Sequence, residues 1–234
     1  MKRLSNSRVG KIVLAVRDMP TVRIAMFGDE RCQRIYRNCT KPHPRFPLVK
    51  KKEWGVALIW LPDNLNDFRR GKKMQVLRTN SRSATNKGYT FAWMNPSEHI
   101  EEIMEINTSS EMRGGRPMDR HYMVREMVEE SFAAKDAIPA VIDADGRIRA
   151  YVDLITVGEV AIVSRILGHA QHLSNGIMYL LTEGIVDYLI AQKHETGLPI
   201  WLMYDTFFGA PEGLWYFKER LGFRPYRVKW AWRG

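Results

Sequence analysis

Lys218, Asp205 and His169 are the side chains of this sequence best suited to moving protons and answering charge. Lys218 stands in the run Trp-Tyr-Phe-Lys, and a lysine in a closed cleft supplies a compact charge where negative charge develops. Asp205 closes an apolar run in Met-Tyr-Asp-Thr-Phe-Phe. A carboxylate at the carboxyl end of a strand can act as a base or hold an ammonium group. His169 lies three residues before His172, and its ordinary pKa near neutrality suits a general base. Asp153, between Val152 and Leu154, needs a partner if it faces inward. Each residue also has a plainer reading: a surface lysine on an amphipathic helix, a loop histidine, a carboxylate satisfied by a neighbour. The two histidines lack a third ligand at metal spacing, so no zinc site is expected. Cys32 and Cys39, seven apart among polar residues, are expected to be thiols rather than ligands.

Two more arginines point to a different chemistry. Arg78 and Arg82 are four residues apart in a basic stretch with Lys72 and Lys73, so on a helix they share a face and can grip a phosphate. The alternative is a solvated basic helix face. Charge is divided unevenly along the 234 residues: residues 1–88 carry 21 lysines and arginines against 6 acids, a net of +15, and residues 89–234 carry 15 against 20, a net of −5. Such asymmetry is expected where one part meets a polyanion, so tRNA or another nucleic acid is the expected partner. No apolar run reaches the 18 or so residues of a membrane span. The first ten residues hold no apolar core of a secretory signal, and a cytoplasmic location is expected.

These residues need elements to position them. Strands are expected at Lys11–Val16, Val22–Phe27 and Trp54–Leu61, and a short helix at Glu30–Asn38. Three prolines between Lys41 and Lys52 predict an extended basic loop without regular structure. One basic helix is expected from about Leu65 to Asn86, weakened by Gly71. From residue 89 the pattern predicts a strand (89–94), two helices (96–107 and 119–134, with Arg113–Pro117 a flexible loop between them), and three strands joined through Asp145-Gly146 and Val157-Gly-Glu159. A long helix (173–192), a strand (200–204), a helix (212–221) and a last strand (223–232) follow. Met118, Met123 and Met127 have helical spacing and are expected in the core. Trp230 and Trp232, with Tyr226, are expected to pack on the sheet.

The stretch from Gly213 to Arg227 is a helix with Leu214, Phe217 and Leu221 on one side, broken by Leu-Gly-Phe and followed by an aromatic strand. It resembles the last helix and strand of the GNAT acyltransferase superfamily. Its Phe217-Lys218 pair resembles the FemABX branch, which moves amino acids from aminoacyl-tRNA onto amines. Residues 74–88 are similar to the helix before the transferase core of FemABX proteins, Arg-x-Asn-x-Arg-x-Ala and then Gly, at Arg78, Asn80, Arg82, Ala84 and Gly88. The two stretches bracket about two-thirds of the chain in the right order.

The resemblance implies an α/β fold of the α+β kind: a mixed, mostly antiparallel twisted sheet flanked by helices. Residues 89–234 would form the acyltransferase domain, and residues 1–88 a basic extension or partial GNAT-like subdomain. It implies that the strands 160–167 and 200–207 splay apart to admit an activated acyl donor. Lys218 would then sit beside the reacting ester, Tyr216 would protonate the leaving group, and Asp205 or His169 would serve the acceptor amine. Phe217, Asp153, Asn175, Gly176, Tyr179 and Tyr204 would line the substrates, while Arg78, Asn80, Arg82, Lys72 and Lys73 would meet phosphate. The acetyl-CoA signature of the superfamily should fall on residues 168–178. Only Gly176 stands in place there, and the basic first residue is missing, which favours aminoacyl-tRNA over acyl-CoA as donor and implies no tightly bound cofactor. Two alternatives remain: an enzyme acylating an amine on a modified nucleic-acid base, and a non-enzymatic nucleic-acid-binding module.

Overall fold

The computed structural model describes residues 19–44, 46–113, 116–208 and 210–234; the strand expected at residues 11–16 lies outside them. An eight-stranded sheet forms the centre, in the order β1 (Thr21–Met26), β12 (Arg224–Trp232), β4 (Val56–Trp60), β11 (Trp201–Thr206), β10 (Val160–Gly168), β9 (Ile148–Val157), β8 (Ile138–Ile142) and β5 (Thr90–Met94). Only the pairs β1/β12 and β10/β11 are parallel. The expected division at residue 88 is not a break in this sheet, because β1 and β4 are built into it beside β12 and β11.

Alternation along the strands explains why both faces are covered. Ala57, Ile59, Ala161 and Val163 point to one face, where α2 (Leu65–Arg69), α3 (Gln75–Asn86), α7 (Ile177–Thr196) and α8 (Glu212–Arg220) pack. Val56, Leu58, Val160 and Ile162 point to the other, beneath α1 (Glu30–Thr40). The same second face continues under α4 (Ile100–Thr108) and α6 (Arg125–Phe132) through Ile103, Ile106, Val128 and Phe132. A central strand buried on both sides must be apolar throughout, and Val56-Ala-Leu-Ile is.

Several expectations are corrected by local chemistry. The helix expected over 65–86 is two helices, because Gly71 (φ 90°) turns the chain, with a 3₁₀ turn at Lys72–Met74 before α3. The expected loop at 41–52 contains a small antiparallel pair, β2 (Pro42–His43) and β3 (Phe46–Lys50). Prolines at the edge of an isolated two-stranded ladder remove no bond the ladder needs. The expected loop at 113–117 is a second small pair, β6 (Met112–Arg113) with β7 (Arg116–Pro117). The expected helix 119–134 breaks at Val124, whose backbone is extended, into α5 (Arg120–Met123) and α6. That break shifts the helical phase. Val128 and Phe132 become the core residues, while Met123 is exposed and Met118 and Met127 are half-buried. Trp230 is buried and Trp232 packs against Tyr36, as expected of sheet-packing aromatics.

Candidate active site

β10 and β11 are joined only at their beginnings. Val160, Ala161 and Ile162 pair with Trp201, Leu202 and Met203, after which β10 continues to Gly168 and β11 to Thr206 without pairing to each other. Each strand carries an irregularity on the way. In β10 an extra residue, Ser164, falls between the pairs Val163–Leu154 and Arg165–Asp153. In β11 the register against β4 slips between Met203 and Thr206. Bulges increase local twist and re-aim side chains, and here they accompany the divergence of the two parallel strands. The expected splay is present.

A cavity of about 400 Å³ lies at the carboxyl end of β11. Asp205 and Thr206 line it from the strand, Phe208 from just beyond it, Leu214 and Lys218 from α8, and His43 and Lys52 from the N-terminal part. Arg113 completes it. Its Nη1 donates to the Gly168 carbonyl at 3.0 Å and its Nη2 to the Ile106 carbonyl at 2.7 Å, so this wall is fixed to the end of β10. The Nε of Arg113 is buried and has no partner among the described residues. A buried unpaired donor is costly.

Lys218 is the deepest charged group of this cavity, 1% exposed. Helix spacing puts it on the inner side of α8 with Leu221, and its Nζ donates to the Thr206 carbonyl at 2.9 Å. The rings of Tyr204 and Phe207 lie 4.5 and 5.9 Å from Nζ. One carbonyl and two ring faces do not replace the hydration of an ammonium, so burial pushes its pKa down to about 7, and the charge of Lys52 adds to the fall. Lys52 is itself lowered by burial and forms an ion pair with Asp205. Asp205 has φ 53°, the left-handed region that aspartate tolerates better than most residues. Its carboxylate is more than half exposed, at the mouth.

The structure does not bring the remaining expected residues into this cavity. Tyr216, two residues before Lys218, projects outward with its hydroxyl 3.4 Å from Glu212, because adjacent helix positions are about 100° apart. Phe217 and Tyr179 pack edge to face at 6.3 Å against the core. Tyr204 packs on Phe223, and burial pushes its phenol up to about 12. Asp153 is held by Lys135. His169 sits with His172 within the β10–α7 connection, its Nε2 3.5 Å from Glu105, and burial lowers its pKa. Asn175 accepts from Lys87 at 2.8 Å and donates to the Tyr89 hydroxyl at 3.0 Å. Gly176 has φ 86°, and a Cβ there would overlap the Asn80 carbonyl, so this glycine joins α3 to α7. The Asn80 amide bonds back to the Val76 carbonyl within its own helix.

Arg78 and Arg82 line a separate groove of about 570 Å³ between α3 and α7. They differ in state. Arg78 donates to the carbonyls of Arg69 and Gly71, the second at 2.9 Å, and so closes the turn between α2 and α3. Arg82 is exposed, as are Lys72 and Lys73. Lys52 and Arg113 escaped the sequence reading. Nothing in their local pattern marks them, since they reach the cavity only through long-range folding.

No protein-family model and no curated protein matches the sequence. Solved structures do. FemX superposes with a TM-score of 0.53 at 12% identity, over 74% of this chain and 59% of that one. A conserved protein of unknown function from Bacteroides thetaiotaomicron superposes with a TM-score of 0.51 at 14% identity, over 73% and 56%. The chain has a GNAT-like fold of the FemABX type. L-PGS from Bacillus licheniformis is also matched, with a TM-score of 0.46 at 18% identity, over 75% and 60%. The chain thus spans less than two thirds of the length of these structures.

Proposed function

We propose that the cavity around Lys218 is the site of an N-acyl transfer, in which an activated acyl or aminoacyl group, aminoacyl-tRNA in preference to acyl-CoA, passes to a primary amine. One observation carries the reading. A buried lysine whose pKa is pushed down to about 7 lines a cavity at the carboxyl end of β11, beyond the point where β10 and β11 part. The acceptor, drawn in as an ammonium by Asp205, sheds one proton to solvent and attacks as the free amine. As the new C–N bond forms, the carbonyl electron pair moves onto oxygen and neutral Lys218 takes the second proton from nitrogen. The resulting ammonium then faces the oxyanion. Collapse breaks the ester C–O bond, and the proton on Lys218 passes to the leaving oxygen. The preference for tRNA rests on the basic N-terminal part and on the β10–α7 connection. There Gly176 and Asn175 are engaged by α3, Lys87 and Tyr89 rather than presented to a pyrophosphate.

The test is mass spectrometry of amine products after incubation with charged tRNA or with acetyl-CoA across a panel of acceptors. An aminoacyl mass increment with charged tRNA alone is the expected result. Products from acetyl-CoA alone would reverse the donor assignment, and no product from either would end the transferase reading.

A further inference from the structure

The β2–β3 pair has a surface that the transfer reading does not use. Phe46, Pro47 and Leu48 are consecutive and all exposed, with Phe46 at 64% and Leu48 at 102% of their full accessibility. Phe46 is braced by the His43 ring, stacked on it at 5.3 Å. The pair is anchored at its base. The Lys51 amide donates to the Lys41 carbonyl at 2.8 Å, the Lys52 amide to the Cys39 carbonyl at 3.0 Å, and the Lys51 Nζ to Asn38 at 3.2 Å. An apolar tip is therefore held out into solvent from the end of α1. Cations are close along the chain: Lys41 and Lys50 are exposed at the base of the pair, and Arg31, Arg34 and Arg37 are exposed along the preceding α1.

We propose that this hairpin docks the protein peripherally onto an anionic lipid bilayer, Phe46 and Leu48 entering the interface and the lysines at its base meeting lipid phosphates. Protruding apolar side chains with cations at their base gain both from leaving water and from the negative surface potential of such a membrane. No helix among the described residues is long and apolar enough to cross a membrane, which fits a protein that rests on the surface. An unpaired RNA strand would answer the cations and could stack on Phe46, but gives the fully exposed Leu48 no partner; a bilayer takes both Phe46 and Leu48, which share one face of β3. His43 and Pro44 also line the Lys218 cavity.

The test is co-sedimentation of the full chain with vesicles of phosphatidylglycerol and phosphatidylcholine, against vesicles of phosphatidylcholine alone, without donor or acceptor. Its outcome is thus independent of the transfer assay. Wild type is expected to prefer the anionic vesicles about tenfold, and Phe46→Ser with Leu48→Ser to lose about tenfold in that binding, with an unchanged unfolding midpoint because both residues lie outside the core. Lys41→Glu with Lys50→Glu is expected to remove the preference for anionic lipid. Wild type that ignores the anionic vesicles, or a serine variant that binds them undiminished, overturns the proposal. Loss of single-stranded RNA binding in the serine variant, with no vesicle binding by wild type, assigns the surface to RNA instead.

Discussion

The cavity at the end of β11 and the groove between α3 and α7 are both rich in cations, yet they hold them in opposite ways. In the groove, Arg78 is tied to two backbone carbonyls and Arg69 to the buried carboxylate of Glu183. These guanidiniums have found their partners within the fold. In the cavity, among the described residues, Lys218 has one carbonyl for an ammonium that can make three hydrogen bonds, and the buried Nε–H of Arg113 has no partner. A satisfied cation holds structure together, whereas an underserved one is available to a substrate. The motif that looked like a phosphate grip is thus half a structural clasp, and the more reactive set was assembled from residues far apart in sequence.

The largest expected effect comes from Lys218→Met, which keeps an unbranched apolar stem and removes the amine. Transfer is expected to fall about 10²–10³-fold, the range for losing one group that answers an oxyanion. The wild-type rate is expected to climb as pH rises through about 7, where Lys218 gives up its proton. Stability carries the same signature. The folded state releases this proton near 7 and the unfolded chain keeps it to 10.5, so the unfolded state binds more protons between those values. Stability therefore rises with pH across that window and is lost as pH falls back through 7. Urea unfolding below pH 7 and near pH 10 is expected to show this rise in wild type and not in the variant. An equal rise in both would show that Lys218 is not the titrating group.

Gly176→Ala comes next and concerns the join between α3 and α7. Its left-handed backbone and the overlap with the Asn80 carbonyl predict a loss of roughly 2 kcal/mol or more, read from urea unfolding. The smallest effects separate the two arginines. Arg78→Ala is expected to cost about 1–2 kcal/mol of stability through its lost carbonyl bonds. Arg82→Ala is expected to change stability by less than about 0.5 kcal/mol. If RNA contacts the groove, the Arg82 variant alone weakens RNA binding at low salt and flattens its salt dependence. Equal stability losses in the two variants would erase the distinction between clasp and exposed cation.

The order of elements from β5 to β12 was legible because strands of period two, helices with apolar stripes and glycine or Asp-Gly turns leave local marks. The breaks at Gly71 and Val124 were harder to read. Gly71 was taken for a weak point rather than a turn, and Val124 carries no breaking residue at all. Lys218 is marked in the sequence by the resemblance of its Phe-Lys pair to FemABX proteins, and Asp205 by its place at the end of an apolar run. Tyr216 is an expectation of the resemblance to GNAT proteins, but it lies two steps along the helix from Lys218, a turn of about 200° that points it elsewhere.

What the sequence determined alone is the material of the machine: the strand and helix periods, the basic N-terminal part, and a lysine embedded in an aromatic helix. What the tertiary structure decided is which of the cations are spent. Lys52 and Arg113 reach the cavity over separations of 153 residues, to Asp205, and 55, to Gly168. The acidity of Lys218 depends on burial beneath Tyr204 and Phe207. Desolvation and ion pairing act through space, and they exist only once distant segments have been folded together.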